Sequence, residues 1–374
     1  LLGDELDGPR GRIYLIKQVL EGQAPTRKTQ QHLDRCLTCR NCESTCPSGV
    51  QYGRLLDIGR HIVDEQVARP LGERIKRGAL RAGLTSKAFA PAMALGRLAR
   101  PLLPATLQDK LAAAPKPGRW PSREHPRKVL MLAGCVQPAM MPHINAATAR
   151  VLDAAGIQTI VAPAATCCGA VRQHLSDPAG ALAQAKANID AWWPYVARKE
   201  ALAIVMNASG CGVMVKDYGH ALKDDARYAE KAARISELAR DVSELLPDLV
   251  AALAPRVRPV AGTLAWHAPC TLQHGQKLGP NVEQQLRALG FDVRPALQEP
   301  HLCCGSAGTY SVLQPELSQR LRERKLSHLL GERQADRPQA VLSANIGCIT
   351  HLQAGTDVPV RHWIEVLDEA LQKA

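Results

Sequence analysis

Cys135, the triplet Cys167-Cys168-Gly169 and Cys211 recur further along the chain as Cys270, Cys303-Cys304-Gly305 and Cys348. The internal spacings are 32 and 43 residues in the first set and 33 and 44 in the second, and corresponding cysteines lie 135 to 137 positions apart. Agreement at that distance marks an internal duplication, so whatever one half folds into, the other must fold into as well. Short apolar runs flank the cysteines. Lys128–Ala133 (KVLMLA) and Thr263–His267 (TLAWH) each deliver a cysteine just past their ends, and Ala203–Asn207 and Ala340–Ala344 do the same for Cys211 and Cys348. Helix-like stretches such as Asp177–Ala197 and Pro315–Leu330 lie between them. Strands alternating with helices predict an α/β fold with a parallel sheet in each half.

Ligands of parallel sheets gather beyond the carboxyl ends of the strands. The expected sites are therefore Cys135, Cys167, Cys168 and Cys211 in the first module, and Cys270, Cys303, Cys304 and Cys348 in the second. Gly169 and Gly305 would let the backbone turn sharply beside the ligand. Four thiolates suit iron–sulfur and zinc alike, and spacing leaves both open. Buried thiols without a metal are the third alternative.

A different run opens the chain. Cys36, Cys39, Cys42 and Cys46, followed by Pro47, form the C-x₂-C-x₂-C-x₃-C-P pattern of cubane cluster ligation, whose fourth cysteine serves a second cluster. Residue 1 is Leu, so a longer product with a partner run just upstream is expected. Cys36, Cys39 and Cys42 would then hold one 4Fe-4S cluster with a cysteine of that run, and Cys46 the other, giving two clusters in the full-length protein. A zinc knuckle on all four cysteines is the alternative. Ile13, Ile16 and Leu20 before the run, and Leu55, Ile58 and Ile62 after it, mark amphipathic helices. A cluster loop between helices suits a small all-α ferredoxin-like module.

A chain of 374 residues has room for two or three domains. The expected division is an α-helical ferredoxin-like module over 1–66, a basic linker over 67–127, and cysteine-rich α/β domains over 128–255 and 256–374. Twelve cysteines in tight groups suit ligation in a reducing compartment better than a disulfide frame. Val129–Ala149 carries no charge, but Pro138, Pro142, Gln137, His143 and Asn145 make it strand, turn and helix rather than a membrane span. Of the net charge of +12, an excess of +11 falls between Gln66 and Lys128, where fourteen Lys or Arg face Glu73, Asp109 and Glu124. Leu80, Leu84, Phe89, Met93 and Leu98 are interleaved there. Two readings stand: docking to an acidic partner or anionic lipid, and a solvated connector. With aromatic residues at 3% of the chain, stacking platforms are scarce and nucleic acid is not an expected partner. No Gly-x-Gly-x-x-Gly dinucleotide fingerprint occurs.

The two Cys…Cys-Cys-Gly…Cys modules resemble the cysteine-rich domain of heterodisulfide reductase subunits, lactate-utilisation proteins and anaerobic glycerol-3-phosphate dehydrogenase subunits. Together with the ferredoxin run and the basic linker, they resemble the iron–sulfur subunits of bacterial glycolate oxidases. The phrase Asp7-Gly8-Pro9-Arg10-Gly11-Arg12-Ile13-Tyr14 is similar to the stretch that follows the first cysteine run in that family. The resemblance implies an electron-transfer subunit that performs no carbon chemistry and has no catalytic residue of its own. Flavin-containing partner subunits would oxidise glycolate to glyoxylate, and iron–sulfur clusters here would pass single electrons toward a membrane quinone. It also implies a cytoplasmic protein, peripheral on the cytoplasmic face of the inner membrane and in contact with the membrane surface. Alternatives are a heterodisulfide reductase-like subunit acting on disulfides, and an iron–sulfur subunit for lactate or glycerol-3-phosphate oxidation. Heterodisulfide reductases carry a fifth cysteine where this chain has Met214 and His351, which argues against five-cysteine clusters. His351 as a substitute ligand, and His267 and His301 as hydrogen-bond donors to cluster sulfur or as proton acceptors, stand beside ordinary packing roles. Trp192-Trp193 is read as core or interface packing.

Overall fold

The computed structural model describes residues 1–86, 88–100, 115–331, 333 and 336–372. Two four-stranded sheets repeat one topology. Strands β1 (Arg127–Met131), β2 (Ile157–Ile160), β3 (Ile204–Met206) and β4 (Ala239–Asp241) lie in the order β2-β1-β3-β4, with every neighbour parallel. Strands β5 (Leu264–Trp266), β6 (Val293–Pro295), β7 (Ala340–Ser343) and β8 (Val360–His362) lie in the order β6-β5-β7-β8, again all parallel. Both faces of these sheets are covered, which is why the central strands read as continuous apolar runs rather than alternating ones. The uncharged stretch 129–149 is β1, a turn and the helix Pro142–Ala154. No helix among the described residues is long and apolar enough to cross a membrane.

The halves are not separate hydrophobic units. Val129, Val151 and Val205 of the first half pack in one cluster with Leu264, Val341, Trp363 and Ile364 of the second. Because strand side chains alternate, Leu130, Ile204 and Met206 point the other way into a core of the first half alone, around Trp192 and Tyr218. Each large side chain buried this way contributes about 1.5–3 kcal/mol. A polar seam fixes the register of the halves. The Ser209 amide donates to Ala344 O at 3.0 Å, and the Ser209 and Thr271 hydroxyls lie 2.7 Å apart. His362, buried at the end of β8, donates from Nε2 to Asn207 O at 2.9 Å, and its Nδ1 accepts from the Ile364 amide at 3.1 Å.

Ahead of the sheets, helices Pro9–Leu20, Arg27–Asp34, Asn41–Ser44 and Tyr52–Gln66 enclose Ile16, Leu33, Leu56 and Val63. The buried stripes differ from the expected ones. Leu20 and Ile58 are 55% and 52% exposed, while Val19 and Leu56 are buried. Close approach sets the contact face here, since a Cβ at Gly59 would lie 2.6 Å from Ile16. The opening phrase has a physical role. Asp7 accepts from Arg35 at 3.1 Å and meets His32 at 3.0 Å, while Arg12 donates to His32 O at 2.7 Å. A Cβ at Gly11 would fall 2.3 Å from Glu5 O, so only glycine lets the chain cross there.

The basic segment forms helices Leu71–Thr85 and Phe89–Leu98, while 101–114 lies outside the described residues. Its beginning is not a free connector. Arg69 bonds Asp34 at 2.6 Å and Asp64 at 2.5 Å, Arg77 bonds Asp34 at 2.9 Å, and Lys76 donates to Val312 O at 2.6 Å. Burial raises the Asp34 pKa, but the bond from Arg69 and the charge of Arg77 outweigh it and hold the carboxyl below its usual 3.8.

Burial pushes the His362 pKa from 6.5 down to about 4. Between those values the unfolded chain binds a proton that the folded chain refuses, so stability present above pH 6.5 is lost as pH falls toward 4. His362→Gln is expected to flatten the pH dependence of urea unfolding across that window. An unchanged slope would remove His362 from the seam's acid sensitivity.

Candidate metal centres

Each half delivers its four sulfurs from the same places. Cys135 sits in the loop just past the central strand β1, and Cys270 at the start of the helical turn Thr271–Gly275 that follows β5. Cys211 and Cys348 lie in the first turns of helices Ser209–Lys216 and Ile346–Gln353, which follow β3 and β7. The Cys-Cys pairs sit in loops after the edge strands β2 and β6. The Gly that follows each pair turns left-handed, with φ +97° at Gly169 and +92° at Gly305. A Cβ would meet Ala181 O at 3.0 Å in one case and Ser318 O at 2.4 Å in the other, so glycine lets the Cys-Cys loop lie against the neighbouring helix. Asn145 donates to Ala133 O at 3.1 Å and Asn207 to Asn145 at 2.9 Å, steadying the loop that carries Cys135.

The sulfurs meet. Neighbouring thiols shift one another's pKa in pairs: Cys135 with Cys167, Cys167 with Cys168 and Cys168 with Cys211 in one half, and Cys270 with Cys303, Cys303 with Cys304 and Cys304 with Cys348 in the other. The bond to Cys167 and burial push Cys135 up, whereas bonds from Cys135 and Cys168 hold Cys167 down. Cys168 is raised by its bonds to Cys167 and Cys211, and Cys270 by its bond to Cys303, with burial adding in both. Cys303 and Cys304 each gain one lowering thiol bond, from Cys270 and Cys303 respectively, yet burial and the next thiol in the row leave both raised. Close-set buried thiols of this kind fit a thiophilic cation, which favours the thiolate and satisfies sulfurs that otherwise bond only one another.

The halves differ in what surrounds the sulfurs. His267, three residues before Cys270, is 1% exposed, and neither ring nitrogen has a hydrogen-bond partner. One of its nitrogens and the Cys304 and Cys348 sulfurs all lie within 4.8 Å of one another. Burial depresses the His267 pKa and the charge of Lys325 adds to it, which keeps the ring neutral. Lys325 itself is fully buried on the helix Pro315–Leu330 and donates to Glu299 O at 3.0 Å and Pro300 O at 3.1 Å. Burial lowers its pKa, and thiolate charge at Cys270, Cys304 and Cys303 opposes that shift. In the first half Asn188 takes the corresponding place, donating to Cys167 O at 2.9 Å and Tyr218 Oη at 3.1 Å. His351 is turned to Ser318, its Nε2 lying 3.1 Å from the hydroxyl. His301 is exposed, and its carbonyl accepts from His274 at 3.2 Å.

Within the ferredoxin run, Cys36 accepts from the Thr38 amide at 3.5 Å and from Tyr52 Oη at 3.6 Å. Thr38 and Arg40 take left-handed φ values of 55° and 58°, which curl the loop. Burial, joined by charge at Cys39 and Cys36, pushes Cys42 up to about 11. Cys46 differs from Cys42 in sign: the backbone amides of Val50 and Ser48, with that of Gly49, lower its pKa. Burial, followed by charge at Cys270, pushes Cys39 up to about 12. The run therefore faces the second module. Tyr310 donates to Arg35 O at 3.2 Å and lies within electrostatic reach of both Cys36 and Cys303, and Ser44 meets His274 at 3.0 Å. Sequence reasoning missed Lys325 and Tyr310. Lys325 is one of several bases on a charged helix, and Tyr310 contacts a residue 275 positions away, so neither carries a local signal.

Comparison with known proteins accords with this arrangement. Residues 129–216 and 264–353 each match the CCG cysteine-rich domain. The chain is 53% identical over 382 aligned positions to the glycolate oxidase iron-sulfur subunit of Escherichia coli K12, covering 100% of this chain and 90% of that protein. It is 28% identical over 384 positions to the probable glycolate oxidase iron-sulfur subunit of Bacillus subtilis 168, covering 94% and 84%. Lactate utilization protein A of Geobacillus thermodenitrificans is 26% identical over 254 positions, which span 64% of this chain and 98% of that protein. The duplicated cysteine-rich domains, preceded by a ferredoxin run and matched end to end, place this chain in the family of glycolate oxidase iron–sulfur subunits.

Proposed function

We propose that this chain is the electron-relaying subunit of a membrane-associated glycolate dehydrogenase, taking electrons from a flavin-containing partner that oxidises glycolate to glyoxylate and passing them toward quinone. The observation that carries the reading is the juxtaposition of Cys39 with Cys270 and Cys303, with Tyr310 between the run and the second module. Cys36, Cys39 and Cys42 would hold one 4Fe-4S cluster and Cys46 would serve another, while the two module sets hold further iron–sulfur centres. Such clusters supply one-electron carriers. The chain's own part is to gather the sulfurs, exclude water from them and set their electrostatics. Lys325 places a buried positive charge beside the second module's thiols, which favours the reduced, more negative state of whatever they hold. The shared core keeps the two modules at a fixed separation, and the run's contact with the second module makes that module the next station for an electron leaving Cys36, Cys39 and Cys42.

The membrane-facing part of the proposal rests on the basic segment. Leu71 and Ile75 lie one turn apart on one helix, as do Leu95 and Leu98 on the next, and these four are between 63% and 80% exposed. Apolar side chains beside Lys and Arg suit the headgroup boundary of an anionic bilayer. In this reading the subunit would lie on the cytoplasmic face of the inner membrane, with this segment against the headgroups.

Three outcomes test the reading. In the complex assembled with its flavin subunits, Cys39→Ser is expected to reduce glycolate-dependent reduction of a quinone analogue to background while the two sheets stay folded by circular dichroism; full activity would remove the run from the relay. Lys325→Met is expected to lower the potential of one centre by on the order of 100 mV in a redox titration monitored by electron paramagnetic resonance. An unshifted set of potentials would deny Lys325 that role. Leu95→Asp with Leu98→Asp is expected to weaken sedimentation with vesicles containing phosphatidylglycerol, and raised salt to weaken it further. Unaltered sedimentation would mean that this face does not meet the membrane.

A further inference from the structure

The two cysteine-rich modules share sheet topology, cysteine placement and the left-handed glycine, yet they differ where the residue three before the strand-end cysteine meets the sulfurs. In the first module that residue is Leu132, an ordinary core side chain. In the second it is His267, buried to 1% with both ring nitrogens unpartnered. Its backbone is fixed by β7, the amide donating to Leu342 O at 2.8 Å. A ring nitrogen shares a 4.8 Å neighbourhood with the Cys304 and Cys348 sulfurs, but forms a hydrogen bond with neither. An imidazole serving only to donate to sulfur would be close enough to make that bond. Two sulfurs and an unpartnered nitrogen this near one another are disposed as the corners around one ion. Burying an imidazole with neither nitrogen satisfied is costly, and a cation between these three atoms satisfies the lone pair of one of them.

We infer that His267 is a nitrogen ligand to the metal centre of the second module, forming with Cys304 and Cys348 a mixed imidazole–thiolate coordination that the first module cannot make. The inference rests on the reading that the second module holds a metal. It separates the duplicates chemically: an all-thiolate site in the first, a partly nitrogen-liganded site in the second. Replacing thiolate by neutral imidazole removes negative charge from the metal and raises its reduction potential, which makes the second module the more readily reduced of the pair.

The test uses the full chain assembled with its flavin subunits, reduced and examined by electron spin echo envelope modulation. The expected result is a nitrogen coupling of the size given by a directly bound imidazole, which changes to the ¹⁵N pattern on ¹⁵N-histidine labelling. It is lost in His267→Leu, which copies the first module, and kept in His351→Gln, whose ring is engaged by Ser318. His267→Cys guards against misfolding: it is expected to retain the metal, lose the nitrogen coupling and lower the potential. A coupling that survives His267→Leu, or an iron signal from this module without any nitrogen coupling, overturns the inference. If the module holds zinc, X-ray absorption showing a nitrogen at about 2.0–2.1 Å that disappears in His267→Leu supports His267 as ligand while overturning the iron–sulfur reading of the module. A zinc shell of sulfur alone, or a module without metal, overturns the ligand.

Discussion

Burial of thiols against thiols is the constraint on which the architecture turns. Cys167 and Cys168, and all four cysteines of the second module, are buried at the ends of short parallel strands, where water does not solvate a thiolate. Most are pushed toward the protonated form by burial and by one another. A protein that needed only packing there would use valine or leucine. Sulfur rows of this kind gain their stability when a cation replaces the shared protons, so ligation and folding become one equilibrium. The parallel sheet supplies the geometry, because it aims three neighbouring strand ends at one point.

Duplication gave two such points, and divergence around them gives direction. The halves share one apolar core and a hydrogen-bonded seam at Ser209, Thr271 and His362, so their centres move together. Among the described residues, only the second half places a buried histidine and a buried lysine at its sulfurs. It is also the half that the ferredoxin run faces through Cys39 and Tyr310. Under the proposed function, the module adjoining the run is therefore the one whose surroundings best accommodate an added electron. The acidic residues Asp34 and Asp64 hold the basic helix that follows, leaving its apolar side chains rather than all its charge for outside contacts.

Much of this was legible in the sequence because its signals are periodic or local. Paired spacings of cysteines implied the duplication, and apolar runs marked strands at β1, β3, β5 and β7 within a residue or two of where they lie. Helices at Pro178–Ala197 and Pro315–Leu330 lie where helix-like stretches fall between the apolar runs. Helix faces were less legible: Leu20 and Ile58 fit the helical spacing, but a Gly59–Ile16 approach selected the neighbouring stripe. Long-range polar choices were hidden altogether. Lys325 reads as surface charge until its helix is laid on the Cys-Cys loop, and the shared core has no sequence marker, since both sheets look self-contained along the chain.

The central claim is that both duplicated modules, and not the ferredoxin run alone, carry redox metal. It is tested most directly by measuring iron, zinc and acid-labile sulfide per chain in the complex purified without oxygen. The account predicts iron and sulfide in excess of what clusters on Cys36, Cys39, Cys42 and Cys46 can hold, with zinc absent. Iron limited to that run, with zinc in stoichiometric amount, would make the modules a scaffold and contradict it.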